Sequence, residues 1–464
     1  SSSDDLIYIG DSGQQTLNLN VDRTSYTGDY DISLGAGNDS ILSAKFKDSD
    51  SLDAGAGDDT VYVMVGGGSG TPAFTSLNMT KLDGGDGNDT LAFTESTTGG
   101  AELNLTRGGA VNFENLLGSS LGETLRGNTG NNTLSGDGGA DTIYGGAGND
   151  TLYAQAHDSM SGGASSATTN DSLYGEAGDD ILIASAGDNT LDGGIGADTI
   201  TTGSGSDTIV LRAGGGGSTL AEADVITDFT DGSDTFGLSS GLQYGDLTIV
   251  QGTGENVSNT LISQGSEYLT VLQGISASDV TYLDFASLNT GNQSFTGTSG
   301  DDIFIGAAGV DTVSTSTGDD IVLTSSGDDA ITIDGAGNKT IDGGAGTDSI
   351  TISIADHSSL TDFVVGYASE TFTFTDTSSN VISLKNIESY TIGSNSYLNW
   401  DDSAINSGDG GASNSFWGST EKLLYGYSGA VFYGQKLTNA DSPFTGMSSS
   451  DDLIYIGDSG QQTL

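Results

Sequence analysis

Apolar and polar residues recur along much of this chain with a period of nine. The period is clearest at residues 136–144 and 145–153, two adjoining units that read Gly-Gly-x-Gly-x-Asp-x-apolar-x, with Asp137 replacing the second glycine of the first unit. Such a unit predicts a glycine-rich turn followed by a very short strand. The single apolar residue at the eighth position is expected to point inward and to pack on its equivalents in neighbouring units.

The unit recurs elsewhere in the sequence with varying fidelity. Clear copies occupy residues 84–92, 193–201 and 343–351, and weaker copies occupy residues 34–42, 54–62, 175–183 and 202–210. Glycine at three positions lets backbone carbonyls approach one another, and the aspartate at the sixth position adds a carboxylate beside them. Hard oxygen ligands at this density suit calcium.

The nonamer resembles the repeat of the RTX family of calcium-binding β-rolls. The resemblance implies that two nonamers form one coil, that turns 18 residues apart stack, and that an ion lies between stacked turns. Asp180 and Asp198 have this spacing, as do Asp302 and Asp320. We therefore expect an all-β protein, a parallel β-roll or β-helix solenoid with calcium-binding turns, plus non-repetitive β-strand modules.

The resemblance also indicates the metal ligands and the number of ions, which would be several calcium ions per chain. The aspartates at turn positions are Asp39, Asp59, Asp89, Asp141, Asp150, Asp171, Asp180, Asp198, Asp207, Asp302, Asp311, Asp320, Asp329 and Asp348. Asp228 and Asp234 belong to a segment similar to the one that closes RTX blocks. Lys339 stands where aspartate is expected, so its turn has either lost its ion or replaced it with an ammonium group.

The nine-residue periodicity divides the chain into modules. The predicted modules are a degenerate solenoid at 1–117 with a loop insertion at 63–83, the main β-roll block at 118–212 with a second loop at 154–169, a β-capping segment at 213–290, a second β-roll block at 291–352, and an aromatic-rich β module with a junction at 353–447.

The two ends of the chain are identical. Residues 1–17, SSSDDLIYIGDSGQQTL, recur unchanged as residues 448–464, so the chain is one 447-residue unit followed by the start of the next. Two explanations of the duplication compete. In the first, the unit is part of a covalent tandem array. In the second, a shorter protein assembles head to tail and the duplicated residues belong to the next subunit. An artificial duplication is the third alternative.

Composition restricts the class of partner and supports a role for metal. The chain has 64 acidic and 11 basic residues, a net charge of −53, 74 glycines among 464 residues and no cysteine. Strong negative charge argues against nucleic acid or an anionic membrane as partner. Without calcium the turns carry unpaired like charges and should open. The absence of cysteine excludes disulfides and is consistent with an exported protein stapled by metal.

Catalytic motifs are weak. Gly10-Asp-Ser-Gly13 looks like a serine-protease nucleophile motif, but it lacks the following Gly-Pro and an upstream histidine. His157 and His357 do not belong to a zinc-binding His-Glu-x-x-His sequence. We expect no catalytic residues and no enzyme activity.

The sequence as a whole predicts a structural role. We expect an extracellular, calcium-stabilised repeat unit of a bacterial filament, matrix fibre, surface layer or adhesin, with copies of itself as partners, no nucleic acid and no membrane insertion. Export by type I secretion is implied by the resemblance alone. The alternatives are the carrier region of a secreted RTX enzyme or toxin, and an adhesin that binds cell-surface glycans through Trp400 or Trp417.

Overall fold

Strands and turns form almost all of the described chain. The computed structural model describes residues 5–19, 28–44, 46–64, 79–94, 102–106, 110–155, 168–352, 364–368, 371–375, 378–387, 389–392, 395–399, 415–418, 421–426 and 452–457. Within these residues the strands form five sheets. The helical segments there are single 3₁₀ turns at Leu220–Glu222, Tyr244–Asp246, Gly254–Asn256 and Tyr282–Asp284. The predicted all-β class is confirmed.

The chain forms two compact units. The first comprises Ser1–Leu242 with Asp246–Phe285, and the second comprises Gln243–Gly245 with Ala286–Leu464. The module boundaries predicted from the sequence are finer than this division and stay predictions.

Three sheets make up the first unit, and we number strands in chain order. The first sheet runs β1 (Leu6–Ile9), β3 (Tyr30–Ser33), β5 (Ser51–Asp53), β7 (Lys81–Asp83) and β10 (Ala110–Val111). The second runs β2 (Thr16–Asn18), β4 (Ser40–Ala44), β6 (Thr60–Met64), β8 (Thr90–Thr94), β11 (Asn115–Leu117), β13 (Thr133–Ser135), β15 (Thr151–Tyr153), β17 (Ile181–Ala186), β19 (Thr199–Ser204), β21 (Asp224–Ile226), β25 (Glu267–Leu272), β24 (Thr260–Gln264) and β23 (Leu247–Gln251). The third runs β26 (Phe285–Ser287), β22 (Thr235–Ser239), β20 (Thr208–Arg212), β18 (Thr190–Ile195), β16 (Ser172–Ala177), β14 (Thr142–Ala147), β12 (Thr124–Arg126) and β9 (Glu102–Asn104).

Successive strands of the repeats alternate between two sheets, and neighbours within a sheet are parallel. Thr133 of β13 pairs with Thr151 of β15, 18 residues later. Each nonamer therefore supplies one short strand, and two nonamers complete one coil. This is the predicted parallel β-roll.

The eighth-position residues form two buried columns between the sheets. Each is 0% exposed and stacks on its equivalent in the next coil; the columns are Leu134, Leu152, Leu182, Ile200 and Ile226 on one sheet and Leu125, Ile143, Leu173, Leu191 and Ile209 on the other. Full burial of one such side chain contributes about 1.5–3 kcal/mol. Since each nonamer offers only one core residue, stability accumulates by stacking coils.

Coil stacking continues across irregular spacings. Leu152 pairs with Leu182 although 30 residues separate them, and Val61 pairs with Leu91 over the same interval. The interiors of the two predicted loop insertions, residues 65–78 and 156–167, lie outside the described residues. The coils on either side of each insertion nevertheless pair in the register of the repeat.

In the second sheet the parallel order ends at β25. Strand β25 pairs in parallel with β21, and β24 and β23 then continue the sheet antiparallel. The three strands expected from alternation at 247–250, 260–263 and 268–272 are therefore present. Together they cover the edge of β21 that the last coil would otherwise leave unpaired.

Two sheets make up the second unit. One runs β27 (Ser294–Thr296), β29 (Thr312–Ser314), β31 (Ala330–Ile333), β33 (Ser349–Ile352), β37 (Ser389–Ile392), β38 (Asn395–Asn399), β39 (Ser415–Gly418), β40 (Glu421–Gly426) and β41 (Asp452–Gly457). The other runs β28 (Ile303–Ile305), β30 (Asp320–Leu323), β32 (Lys339–Asp342), β36 (Val381–Lys385), β35 (Thr371–Thr375) and β34 (Val364–Ala368).

The core of the second unit continues from the repeats into the strands that follow them. Val322, Ile341 and Leu384 stack in the core of one sheet, and Phe374 joins the same buried cluster. Beyond the repeats the pairing becomes antiparallel, from β36 to β35 and from β37 to β38. No described helix is long and apolar enough to cross a membrane.

Candidate calcium sites

Glycines allow the turns of successive coils to touch. Gly194 and Gly196 have φ values of +109° and +143°, a region that side chains disfavour. A Cβ atom on Gly194 would overlap the carbonyl group of Glu176, and one on Gly196 would overlap that of Gly178, both in the preceding coil. The glycines therefore bring backbone carbonyl groups of two coils into one layer.

The sixth-position carboxylates form a ladder through the coils. The backbone N–H of Asp180 donates to Oδ1 of Asp198 at 2.8 Å, and the N–H of Asp150 donates to Oδ1 of Asp180 at 2.6 Å. The same bond joins Gln15 to Asp39, Asp39 to Asp59, Asp59 to Asp89, Glu123 to Asp141, Asn132 to Asp150, Asp141 to Asp171, Asn189 to Asp207, Gln293 to Asp311, Asp302 to Asp320, Asp311 to Asp329 and Asp329 to Asp348. One carboxylate oxygen of each turn thus fixes the register of the coil before it.

The second oxygen of many of these carboxylates is buried and accepts no hydrogen bond. Within the described residues this holds for Oδ2 of Asp39, Asp59, Asp89, Asp141, Asp150, Asp180, Asp198, Asp207 and Asp329. In Asp198 this atom lies against the first glycine of its own nonamer, Gly193, so closely that a Cβ there would collide with it. A buried, unsatisfied carboxylate oxygen beside backbone carbonyls needs a cation next to it to remain ionised, because the cation offsets its desolvation.

Burial changes the acidity of these groups in the calcium-free chain. Loss of solvent raises the pKa from the ordinary 3.8 to about 9 for Asp141 and to about 7 for Asp150, and the hydrogen bonds from the ladder only partly oppose it. The pKa rises to about 7 for Asp89 and to about 6 for Asp59, Asp180 and Asp207, for the same reason. Burial also raises the pKa of Asp198 and of Asp224, which are neighbours.

Lys339 shows where a cation sits in such a turn. Its Nζ atom lies 2.8 Å from Oδ2 of Asp320, and both side chains are buried. The ammonium group also donates to the carbonyl oxygens of Gly318 and of Ala336, the latter at 3.3 Å. It therefore lies among oxygens from two stacked turns. One of these oxygens is Oδ2 of Asp320, the second oxygen of that carboxylate. This position agrees with an ammonium group in place of an ion, one of the two alternatives predicted, and the assignment stays a prediction.

The donor set fits calcium. Each turn whose Oδ2 has no donor offers one anionic oxygen and several carbonyl oxygens, all hard ligands, and calcium accepts about six to eight of them. Clusters of three or more His, Cys, Asp or Glu side chains that could hold a metal do not occur in the described part of the chain. The turns contribute one carboxylate at a time, so most ligands would have to come from the backbone.

The structure separates fifteen of the sixteen predicted ligands into two groups; the remaining one, Asp348, accepts the backbone N–H of Asp329 at 2.9 Å. In the first group, given above, Oδ2 has no partner. In the second group protein donors or Lys339 engage both oxygens: Asp171, Asp228, Asp234, Asp302, Asp311 and Asp320. Asp228, for example, accepts the backbone N–H groups of Thr202 and Gly203, both at 2.8 Å. In the second group a metal ion would have to share the carboxylate oxygens with these protein donors.

Sequence analysis missed several members of the ladder. Glu114, Glu123, Asn132 and Asn189 occupy ladder positions and bond to neighbouring coils as the aspartates do. Counting in steps of 18 from Asp150, Asp141 and Asp207 would have found them. Asp224, which accepts the N–H of Asp198 at 3.0 Å, lies 26 residues from it, so spacing gives no signal.

A second, exposed ladder runs along the fifth position of the nonamers. Oδ1 of Asp179 accepts the N–H of Ala197, and Oδ1 of Asp188 accepts the N–H of Ser206 at 2.9 Å. These side chains tie coils together in solvent, where water can solvate their charge. They serve as matched controls for the buried sixth position.

The weak catalytic motif forms an exposed turn. Oδ1 of Asp11 accepts the backbone N–H of Gly13 at 2.8 Å, and Ser12 is exposed. His157 and His357 lie outside the described residues, as does Trp400, and the side chain of Trp417 is not described.

The raised pKa values predict an unusual pH dependence for calcium-free protein. When the pKa of a group is higher in the folded than in the unfolded state, protonation of that group stabilises the fold. This stabilisation has its full value below about pH 4. This stabilisation is lost as pH rises through about 6 to 9, the folded-state values for Asp180, Asp150 and Asp141. Circular dichroism of calcium-stripped protein should show more β-structure in mild acid than at neutral pH, with calcium removing the difference. Loss of β-structure on acidification would contradict the role of these carboxylates.

Replacing Asp198 by alanine should weaken calcium binding, because its Oδ2 atom is buried without a donor. We expect a loss of about tenfold in affinity at that turn, roughly 1.4 kcal/mol. Asp188→Ala, which removes a carboxylate of the exposed ladder, should have a much smaller effect. Calcium titration calorimetry compares the two variants, and equal losses would show that the sixth position is not the ligand.

Replacing Lys339 by aspartate should add a calcium ion. The change removes the ammonium group and places two carboxylates, Asp320 and the new one, at a turn already arranged for a cation. Native mass spectrometry should show one more bound ion than in the parent chain. Lys339→Met is the control, since it removes the ammonium group without adding a ligand and should instead destabilise the buried Asp320. An unaltered ion count in the aspartate variant would refute the assignment.

Comparison with known proteins agrees with this geometry. The family model described as RTX calcium-binding nonapeptide repeat (4 copies) matches residues 47–68, 81–93, 117–152, 168–191, 174–209, 183–217 and 289–331. No curated protein matches the sequence at a significant level.

Two solved structures show similarity to parts of the chain. The extracellular lipase LipA from Serratia marcescens is 17% identical over 42% of this chain and 44% of the lipase, with a TM-score of 0.19. The AlgE6R3 subunit of the Azotobacter vinelandii mannuronan C5-epimerase is 23% identical over 36% of this chain and 80% of that subunit, with a TM-score of 0.14. The chain thus spans less than half the length of the lipase, and neither similarity bears on function. The matched repeats are calcium-binding motifs, and the chain carries RTX calcium-binding nonapeptide repeats in these segments.

Proposed function

We propose that this chain is an extracellular structural protein, a calcium-stabilised repeat unit of a surface filament, matrix fibre or surface layer. The observation that carries the proposal is the row of buried carboxylate oxygens without donors, which nine turns of the described coils contribute. Calcium bound there would tie neighbouring coils together and cancel their repulsion. Such a chain would stay open where calcium is scarce and would fold where calcium is abundant, as outside the cell.

The net charge supports this coupling of folding to calcium. With a charge of −53, the calcium-free chain repels itself throughout. Its few basic groups pair with acids, for example Lys81 with Asp53 at 2.6 Å and Lys385 with Asp342 at 3.3 Å. These contacts are exposed and contribute little. External cations are the remaining source of charge balance.

The duplicated ends support the repeat-unit part of the proposal. Residues 448–464 repeat residues 1–17 without a change, so the same segment stands at the start of two successive units. A structural array uses one unit many times and has no need of a catalytic centre. We accordingly propose that this chain is not itself an enzyme and that its partners are further copies of itself.

Calcium should control both folding and assembly if this proposal is correct. Analytical ultracentrifugation of the chain in millimolar calcium should show compact protein that grows into larger species at high concentration. Excess chelator should give expanded single chains and abolish the β-structure seen by circular dichroism. The acidic chain in magnesium is the control for simple charge screening, and equal folding there would contradict a calcium-specific role. A compact monomer at every concentration would instead favour a carrier region of a larger secreted protein.

A further inference from the structure

Strand β1 leaves one of its edges open. It is the outermost strand of its sheet, and in the described part of the chain only β3 pairs with it. The backbone N–H groups of Leu6 and Gly10 donate to β3 and its flanking residue, at 2.8 and 2.7 Å. Since alternate residues of a strand direct their backbone groups to opposite sides, those of Ile7 and Ile9 face the open edge.

This edge is also apolar on its outer face. Ile7 is 68% exposed and Ile9 is 79% exposed, and Ile9 is the most exposed large hydrophobic residue in the described chain. Protein edges of this kind are normally covered or interrupted, because an open strand with apolar side chains pairs readily with another chain. The opposite end of the repeats shows such covering, since β25 pairs with the outer edge of β21.

The sequence of β1 occurs a second time, and there it pairs with a different strand. Residues 452–457 have the same sequence as residues 5–10 and form β41. Strand β41 pairs in parallel with β40, with Ile454 opposite Leu423 and Ile456 opposite Tyr425. Ile454 and Ile456 are the equivalents of Ile7 and Ile9. The two copies of one sequence therefore show two different parallel neighbours, β3 and β40.

We propose that strand β40 (Glu421–Gly426) of one 447-residue repeat pairs in parallel with the open edge of β1 in a second copy of that repeat. The pairing would use the backbone groups of Ile7 and Ile9. This junction rests on the proposed function and specifies how its units join. Strand β1 would then lie between β40 of the preceding 447-residue repeat and β3 of its own repeat. A sheet of one repeat would thereby continue into a sheet of the next.

The junction has the same form whether units are linked covalently or not. In a tandem array, residues 452–457 are already β1 of the following unit. Between separate chains, β1 of one chain replaces the identical strand 452–457 of another. The bonds lost and gained in that exchange are equivalent, which makes it a strand exchange of the domain-swapping kind.

Proline substitutions in the full chain test the junction. Ile454→Pro should release β41 from β40, because proline cannot donate to a strand ladder. The freed edge should then capture β1 of another molecule, and sedimentation in calcium should show head-to-tail oligomers that the parent chain forms less readily. Ile7→Pro combined with Ile454→Pro should abolish these oligomers. Ile7→Pro should destabilise the fold only slightly. The hydrogen bonds from Leu6 and Gly10 to β3 and its flanking residue do not use the backbone N–H of Ile7.

Cysteine cross-linking tests the register independently of strand stability, and the chain contains no other cysteine. In the Ile454→Pro background, Leu423→Cys with Ile7→Cys should form disulfide-linked dimers and longer chains under mild oxidation. Leu423→Cys with Val111→Cys is the matched control, because Val111 is exposed in β10 at the other edge of the same sheet. Without the proline, Leu423→Cys with Ile454→Cys should close a bond within one chain.

The results distinguish the junction from the wider proposal. Monomeric Ile454→Pro protein that is folded in calcium, or equal cross-linking at Val111, would overturn the junction. Calcium-driven assemblies that persist in the double proline variant would also overturn it, while leaving the structural function in place. Folding that is indifferent to calcium would contradict the proposed function, and the intramolecular bond between positions 423 and 454 would still report on the strand pairing.

Discussion

Most turns of the repeats place a buried carboxylate against the coil before them, and the rest of the structure depends on that contact. One oxygen accepts a backbone N–H of the neighbouring coil, as in Asp198 and Asp180. The other oxygen, where no protein donor reaches it, is left with its charge in a region of low dielectric. The same side chain therefore sets the register of the solenoid and creates its need for a cation. Fold and metal dependence have one cause.

Lys339 shows that this need is electrostatic. At its turn the cation belongs to the chain itself, and its ammonium group contacts Asp320 and two carbonyl oxygens. An ammonium group has three donors, whereas calcium binds more ligands and so ties more backbone together. Substitution by lysine thus preserves charge balance at a turn and gives up part of the rigidity that calcium would supply.

The coils obtain little of their stability from any single element. A strand of three residues with one buried apolar side chain, such as β15 around Leu152, has no core of its own. Its stability comes from the coils on both sides, so the ends of the stack are the critical points. Antiparallel strands close the stack after residue 226, and the opposite end presents β1 with two exposed isoleucines. The two ends of this stack of coils therefore differ, one being covered by further strands and the other having an open strand edge.

The sequence by itself determined the fold class, the coil register and the kind of ligand. A period of nine with glycine at fixed positions leaves few backbone solutions, and the buried columns around Leu134 and Leu125 follow from it directly. The tertiary structure alone decided which carboxylates have an unsatisfied oxygen. Asp150 and Asp171 occupy the same motif position, yet Gln155 and Thr169 reach the second oxygen of Asp171. Such donors come from irregular segments that lack the nine-residue period, so the sequence pattern does not predict their positions. The structure likewise decided the role of Asp224 and the neighbour of residues 452–457, because strand partners distant in sequence are set by packing and not by spacing.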